Sequence, residues 1–133
     1  MNPNRVLSFP NGSTAMILGT RVILAVQGGV LVTVPAGTAA GAIGTLVRDV
    51  AAGGAPAAGT VANGLGQYST SDVFCPGALS WGVADGPITA GATVYGQING
   101  QITATVTGAA VGIATQTAGA AGDQIEFLHG TSD

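Results

Sequence analysis

The sequence predicts an all-β protein: a compact β-sandwich or small barrel of short antiparallel strands and hairpins, led by an extended N-terminal arm. Three observations carry this reading. β-Branched and other apolar residues fall in runs of strand length, turn dipeptides separate those runs, and glycine interrupts the Ala-rich pieces too often for a helix to hold. Gly supplies 23 of the 133 residues, so turns, bulges and close backbone approaches are expected. The apolar fraction is 47% but aromatics are only 5%. Ala and Val side chains fill little volume, so the core should be thin. At this length a single domain is expected, large enough to bury a core without disulfides.

The elements follow in order. Met1 to Thr14 holds Pro3 and Pro10, which remove backbone donors and favour extended chain. It reads as an arm, and Val6, Leu7 and Phe9 suit an arm that docks on a partner, because a free tail has no use for them. Residues 15–133 then form the β domain. Thr20–Val26 and Val30–Val34, joined through Gln27-Gly28-Gly29, read as a hairpin. Gly44–Val50 reads as a further strand, and the Gly/Ala/Pro-rich Ala51–Gly59 as a break. Short strands are expected near Ser71–Cys75 and Leu79–Val83, in the segment holding Tyr68, Phe74 and Trp81. Thr93–Ile98 and Gln101–Val106 form a second hairpin around Asn99-Gly100, since both turn residues tolerate positive φ. Ala110–Thr115 and Gln124–Leu128 complete the set.

An internal repeat is visible. Gly19, Val22, Val26, Gly29 and Leu31 recur in order as Gly91, Val94, Ile98, Gly100 and Ile102. Gly44 is answered by Gly112, and Ala51 onward by Ala120 onward. Two related β-meanders, about 18–55 and 88–128, packed face to face would bury both apolar faces.

Charge excludes several functions. Charged residues make up 7% of the chain, Lys is absent, and the three cations are Arg5, Arg21 and Arg48. A net charge of −3 without a basic cluster argues against nucleic-acid binding, which needs cations to displace counterions. A surface this neutral suits a protein that hides part of it in an assembly. The apolar stretch Ala15 to Val26 is broken by Arg21 and too short to span a bilayer, so no membrane partner is expected. The N-terminal segment lacks a charged start followed by an apolar run, which places synthesis and use in a cytosol, or release by lysis.

Catalytic groups are scarce, and neither an enzyme nor a cofactor is expected. His129 is the single histidine and reads as a surface residue; a nucleophile–base pair has little to draw on. Cys75, the single cysteine, reads as a small packed residue. Of the six acids, Asp85 and Asp123 sit beside glycines and read as turn residues. A paired-carboxylate hydrolase site would want a cleft lined by aromatics, which are few here. No Cys/His spacing, calcium loop or phosphate loop is present, so no metal is expected. Trp81 reads first as the anchor of a thin core and second as a platform for stacking a sugar.

The segment Ile88 to Leu128 resembles the small capsid decoration (cement) proteins of tailed bacteriophages. The resemblance rests on Gly91, the Val94-Tyr95 step, the Asn99-Gly100 turn, Gly112-Ile113-Ala114, the Ala118–Gly122 loop and the closing Ile125–Leu128 strand. The resemblance implies a virion protein made in the host cytoplasm. Its partners would be the major capsid protein, on the outer surface of the head, and itself, as a homotrimer or sometimes a dimer. It also implies an N-terminal arm paired with a capsid strand, for which Val6, Leu7 and Phe9 are the expected contacts. A phage tail or fibre-type β module that binds host-surface carbohydrate is the alternative.

Overall fold

The computed structural model describes residues 6–52, 70–131 and 133. Residues 1–5, most of the Ala51–Gly59 break and Tyr68 lie outside them. The fold is all-β and sandwich-like: among the described residues there are two antiparallel five-stranded sheets and one 3-10 turn. The first sheet holds β1 (Val6–Pro10), β2 (Arg21–Gln27), β3 (Val30–Pro35), β4 (Gly44–Leu46) and β5 (Thr70–Phe74), in the order β1-β5-β4-β2-β3. The second holds β6 (Leu79–Val83), β7 (Thr93–Gly96), β8 (Ile102–Thr103), β9 (Ala110–Ala114) and β10 (Gln124–His129), in the order β6-β10-β9-β7-β8.

These two orders are the same order. Substituting β6 to β10 for β1 to β5 converts one sheet into the other, and the local bonds repeat with them. Met16 bridges Val50 as Ile88 bridges Ala118. The Gly19 amide donates to Leu46 O at 2.9 Å, and the Gly91 amide to Ala114 O at 2.7 Å. Each sheet also curls until its edges meet, through a parallel bridge between Asn11 and Thr33 in the first and between Ala84 and Ile102 in the second. The repeated unit is therefore five strands, wider than a meander, because the first and last strands of each unit pair with each other. In this frame Gly19, Val22 and Gly44 match Gly91, Val94 and Gly112. Ile102, however, matches Thr33 rather than Leu31, because the β7–β8 hairpin is shorter than β2–β3.

Burial follows the curl. One apolar cluster lies in each sheet: Met16, Val22, Leu46, Val50 and Val73 in the first, and a set around Ile88, Val94, Ile102, Ile125 and Phe127 in the second. Gly44 and Gly112 are among the glycines required by close approach. A Cβ on Gly44 would overlap the carbonyl of Phe74, and one on Gly112 the carbonyl of Leu128.

Three strands stop earlier than their sequence suggests, among them β7, expected to reach Ile98 but ending at Gly96. β4 ends at Leu46, beyond which the chain turns out and Asp49 Oδ1 accepts from the Leu18 amide at 2.8 Å. β8 ends at Thr103, whose Oγ1 takes the Thr105 amide at 3.1 Å and so replaces a ladder bond with a local one. The Asn99-Gly100 turn forms with φ of 61° and 71°, as its residue types require. It is folded into a 3-10 turn, Ile98–Gly100, whose first amide is capped by the Gln97 side chain at 2.9 Å.

Candidate functional site

The segment expected as a separate arm is, over Val6–Pro10, a strand of the domain itself. It pairs antiparallel with β5, Val6 opposite Phe74 and Phe9 opposite Ser71. The boundary expected between residues 14 and 15 is not a boundary either. Asn11 is fully buried; its Nδ2 donates to Thr14 O and Ala51 O at 2.8 and 2.9 Å, and its Oδ1 accepts from Thr33 Oγ1 at 3.2 Å. The physical reason is the unpaired edge of β5: a short extended segment beside it satisfies that edge within the chain. Val6 is exposed, while Leu7 and Phe9 are half-buried. Ser8 bonds Asp72 at 2.6 Å, and Asp72 also pairs with Arg48.

His129, expected at the surface, is buried. β10 carries it inward beside Phe127, the ring centroids 5.0 Å apart. Its Nε2 lies 2.5 Å from Asp133 Oδ2, and Asp133 also receives Arg21 Nε at 2.9 Å and a terminal guanidinium nitrogen at 2.6 Å. The remaining Arg21 donors reach Gly37 O at 2.9 Å and Ala39 O at 3.3 Å. Burial pushes the Asp133 carboxyl upward, but the hydrogen bonds from His129 and Arg21, with their charges, outweigh it and hold the group at about 2. An acid, a base and a cation thus meet with none of the three side chains exposed, and they tie β2 to the end of the second unit. Sequence reasoning passed over Arg21 and Asp133. The available signal was a cation at the head of an apolar strand.

Trp81 is not the core anchor; Phe127 takes that place. Along β6, Ser80 and Gly82 point inward, so Trp81 stands half-buried on the outward side with Leu79. Cys75 is a buried free thiol. Asp123 serves its turn, accepting from the Gly119 and Ala120 amides at 2.8 and 3.1 Å. Asp85 accepts from Gln97 Nε2 at 3.1 Å. Among the described residues no group of three or more His, Cys, Asp or Glu could hold a metal ion, and no helix is long and apolar enough to cross a membrane.

What the surface does offer is an apolar row across the second sheet. Leu79 pairs with Leu128, Leu128 with Ile113 and Ile113 with Thr93, and all four are exposed. An open groove of about 480 Å³ is lined by Leu128, Ile113 and Thr93 of this row together with Gly77, Gly112 and His129. Such a face fits a macromolecular surface better than a small polar substrate.

No protein-family model and no curated relative matches the chain. Among solved structures, the chain is similar to the crystal structure of the head fiber gp8.5 N base of bacteriophage phi29, with a TM-score of 0.69 at 14% identity. The likeness covers 97% of this chain and 98% of that one. The two share a fold over nearly their whole lengths.

Proposed function

We propose that the chain is a non-catalytic structural protein of a phage virion, bound as a homotrimer to the outside of the head, where it clamps neighbouring major capsid subunits. One observation carries this reading: its fold is that of a phage head-fiber base over almost the full chain. The low charge and the outward apolar row agree with it. Multivalent attachment makes modest contacts sufficient, since each is multiplied across an oligomer and a lattice. Val6, Leu7 and Phe9, carried by β1, are the proposed contacts at the capsid.

A second reading is a tail or fibre-type module that binds host carbohydrate, and the half-buried outward indole of Trp81 favours it. Co-sedimentation of the purified chain with isolated heads, isolated tails and host-surface polysaccharide separates the two. Saturable binding to heads, weakened by Val6→Glu, is expected. Binding to polysaccharide that Trp81→Ala abolishes, with none to heads, would overturn the first reading in favour of the second.

A further inference from the structure

The two units place an acid at the same position and surround it differently. The Val47 amide donates to Asp72 O at 3.0 Å as the Thr115 amide donates to Glu126 O at 3.1 Å. Asp72 therefore corresponds to Glu126, and Arg48 to Gln116. Across the ladder, Ser8 stands opposite Asp72 and Trp81 opposite Glu126. In the first unit both carboxylate oxygens are engaged. Arg48 pairs with Oδ2, and Ser8 Oγ donates to Oδ1 at 2.6 Å.

In the second unit both partners are exchanged. Gln116 keeps the place of Arg48 without its charge: its Nε2 donates to Glu126 Oε1 at 3.2 Å, and its Oε1 accepts from the Glu126 amide at 3.0 Å. The indole of Trp81 replaces the hydroxyl of Ser8. Among the described residues no cation pairs with Glu126. The second unit has none to offer. From Leu79 onward the chain holds no Lys or Arg, and its acids are Asp85, Asp123, Glu126 and Asp133, the last engaged by Arg21 and His129.

Opposed residues of an antiparallel pair hold their Cβ atoms about 5 Å apart. Trp81 and Glu126, both half-buried on the outward side, thus set an indole beside a carboxylate that no charge balances. That combination selects a cation. A guanidinium suits it best, because a planar cation stacks on the ring while its N–H groups reach the carboxylate. The first unit shows the same position of the acid filled by a guanidinium, that of Arg48. Leu79 and Leu128 flank the indole and the carboxylate on the same face, and Trp–Arg contacts amid apolar residues are characteristic of protein interfaces.

We propose that Trp81, Glu126 and Gln116 receive an arginine side chain of a protein partner, which supplies from outside the charge that Arg48 supplies within the first unit. This names the chemistry of one contact and rests on the reading of the chain as a protein that binds another protein.

The test uses the full chain and its single tryptophan, Trp81, whose fluorescence reports on the site itself. The probes are N-acetyl-arginine amide and its neutral isostere N-acetyl-citrulline amide, at matched ionic strength. A saturable change with the arginine probe is expected, and binding at least about tenfold weaker with the citrulline probe. Glu126→Gln, folded by circular dichroism, is expected to weaken the arginine probe by about tenfold. Gln116→Arg fills the site from within and is expected to do the same, which keeps the test decisive should Glu126→Gln fail to fold. Equal response to the two probes, no response to either, or variants that bind as the wild type does would overturn the proposal. So would a response to a chito-oligosaccharide with none to arginine, which would assign the indole to carbohydrate. Heads that bind the chain while the arginine probe does not would overturn this proposal alone. Probe binding without head binding would count only against the virion reading.

Discussion

Arg21 and Asp133 meet in a buried, two-point ion pair at 2.6 and 2.9 Å that fastens β2 to the far end of the chain. Removing one partner strands the other charge out of water. Arg21→Met is expected to cost about 3–5 kcal/mol, read from the urea midpoint at neutral pH. Arg48→Met, which breaks the pair of a largely exposed arginine with Asp72, is expected to cost less than about 1 kcal/mol.

His129 and Arg21 together set an acid limit at Asp133. Asp133 is lowered from its ordinary 3.8 to about 2 in the fold. A carboxyl with a depressed folded value contributes its stability in full above the unfolded value and loses it as the pH falls toward the folded one. About 2 kcal/mol is therefore expected to disappear between roughly pH 4 and pH 2. Unfolding followed against pH should show this loss in the wild type. Asp133→Asn should be weaker at neutral pH and flatter across that window.

The seam where each sheet closes is polar in one unit and apolar in the other. Asn11, Thr33 and Ser71 bond one another through Thr33 Oγ1 in the first, and Ala84, Ile102 and Ile125 stand at the matching positions of the second. Asn11→Ala is expected to cost about 1–3 kcal/mol, because it removes a fully buried side chain that donates to the Thr14 and Ala51 carbonyls and accepts from Thr33 Oγ1. Replacing Thr33 and Ser71 together by Val removes both hydroxyls and should cost less per group lost. Urea midpoints of the single and double variants measure this.

Gly44→Ala and Gly112→Ala should each cost roughly 2 kcal/mol or more, since the added methyl meets backbone that cannot swing away. Gly91→Ala, at positive φ but facing open space, should cost only about 1 kcal/mol. Thermal melts of the three variants rank them, and equal losses would refute the steric account.

At Asn99, φ is 61°. Asn99→Gly is expected to leave the melting temperature within a few degrees of wild type, whereas Asn99→Val should lower it, because a β-branched side chain resists that conformation.

Local pattern alone determined the all-β class, most strand positions, the Asn99-Gly100 turn and the recurrence of Gly19, Val22 and Gly44 as Gly91, Val94 and Gly112. Each of these rests on residues near one another in the chain, where turn chemistry and β-branching act directly. Pairing over long separations was decided only in three dimensions. Val6–Pro10 became β1 because β5 leaves an edge that it can satisfy, and nothing in its own sequence names that partner. His129 went inside because Arg21 and Asp133 converge there from opposite ends of the chain. Trp81 fell outward because the register of β6 against β10 sends Ser80 and Gly82 into the core. The side-chain period of a strand is two, so burial turns on register, and register is set by the partner strand rather than by the residue itself.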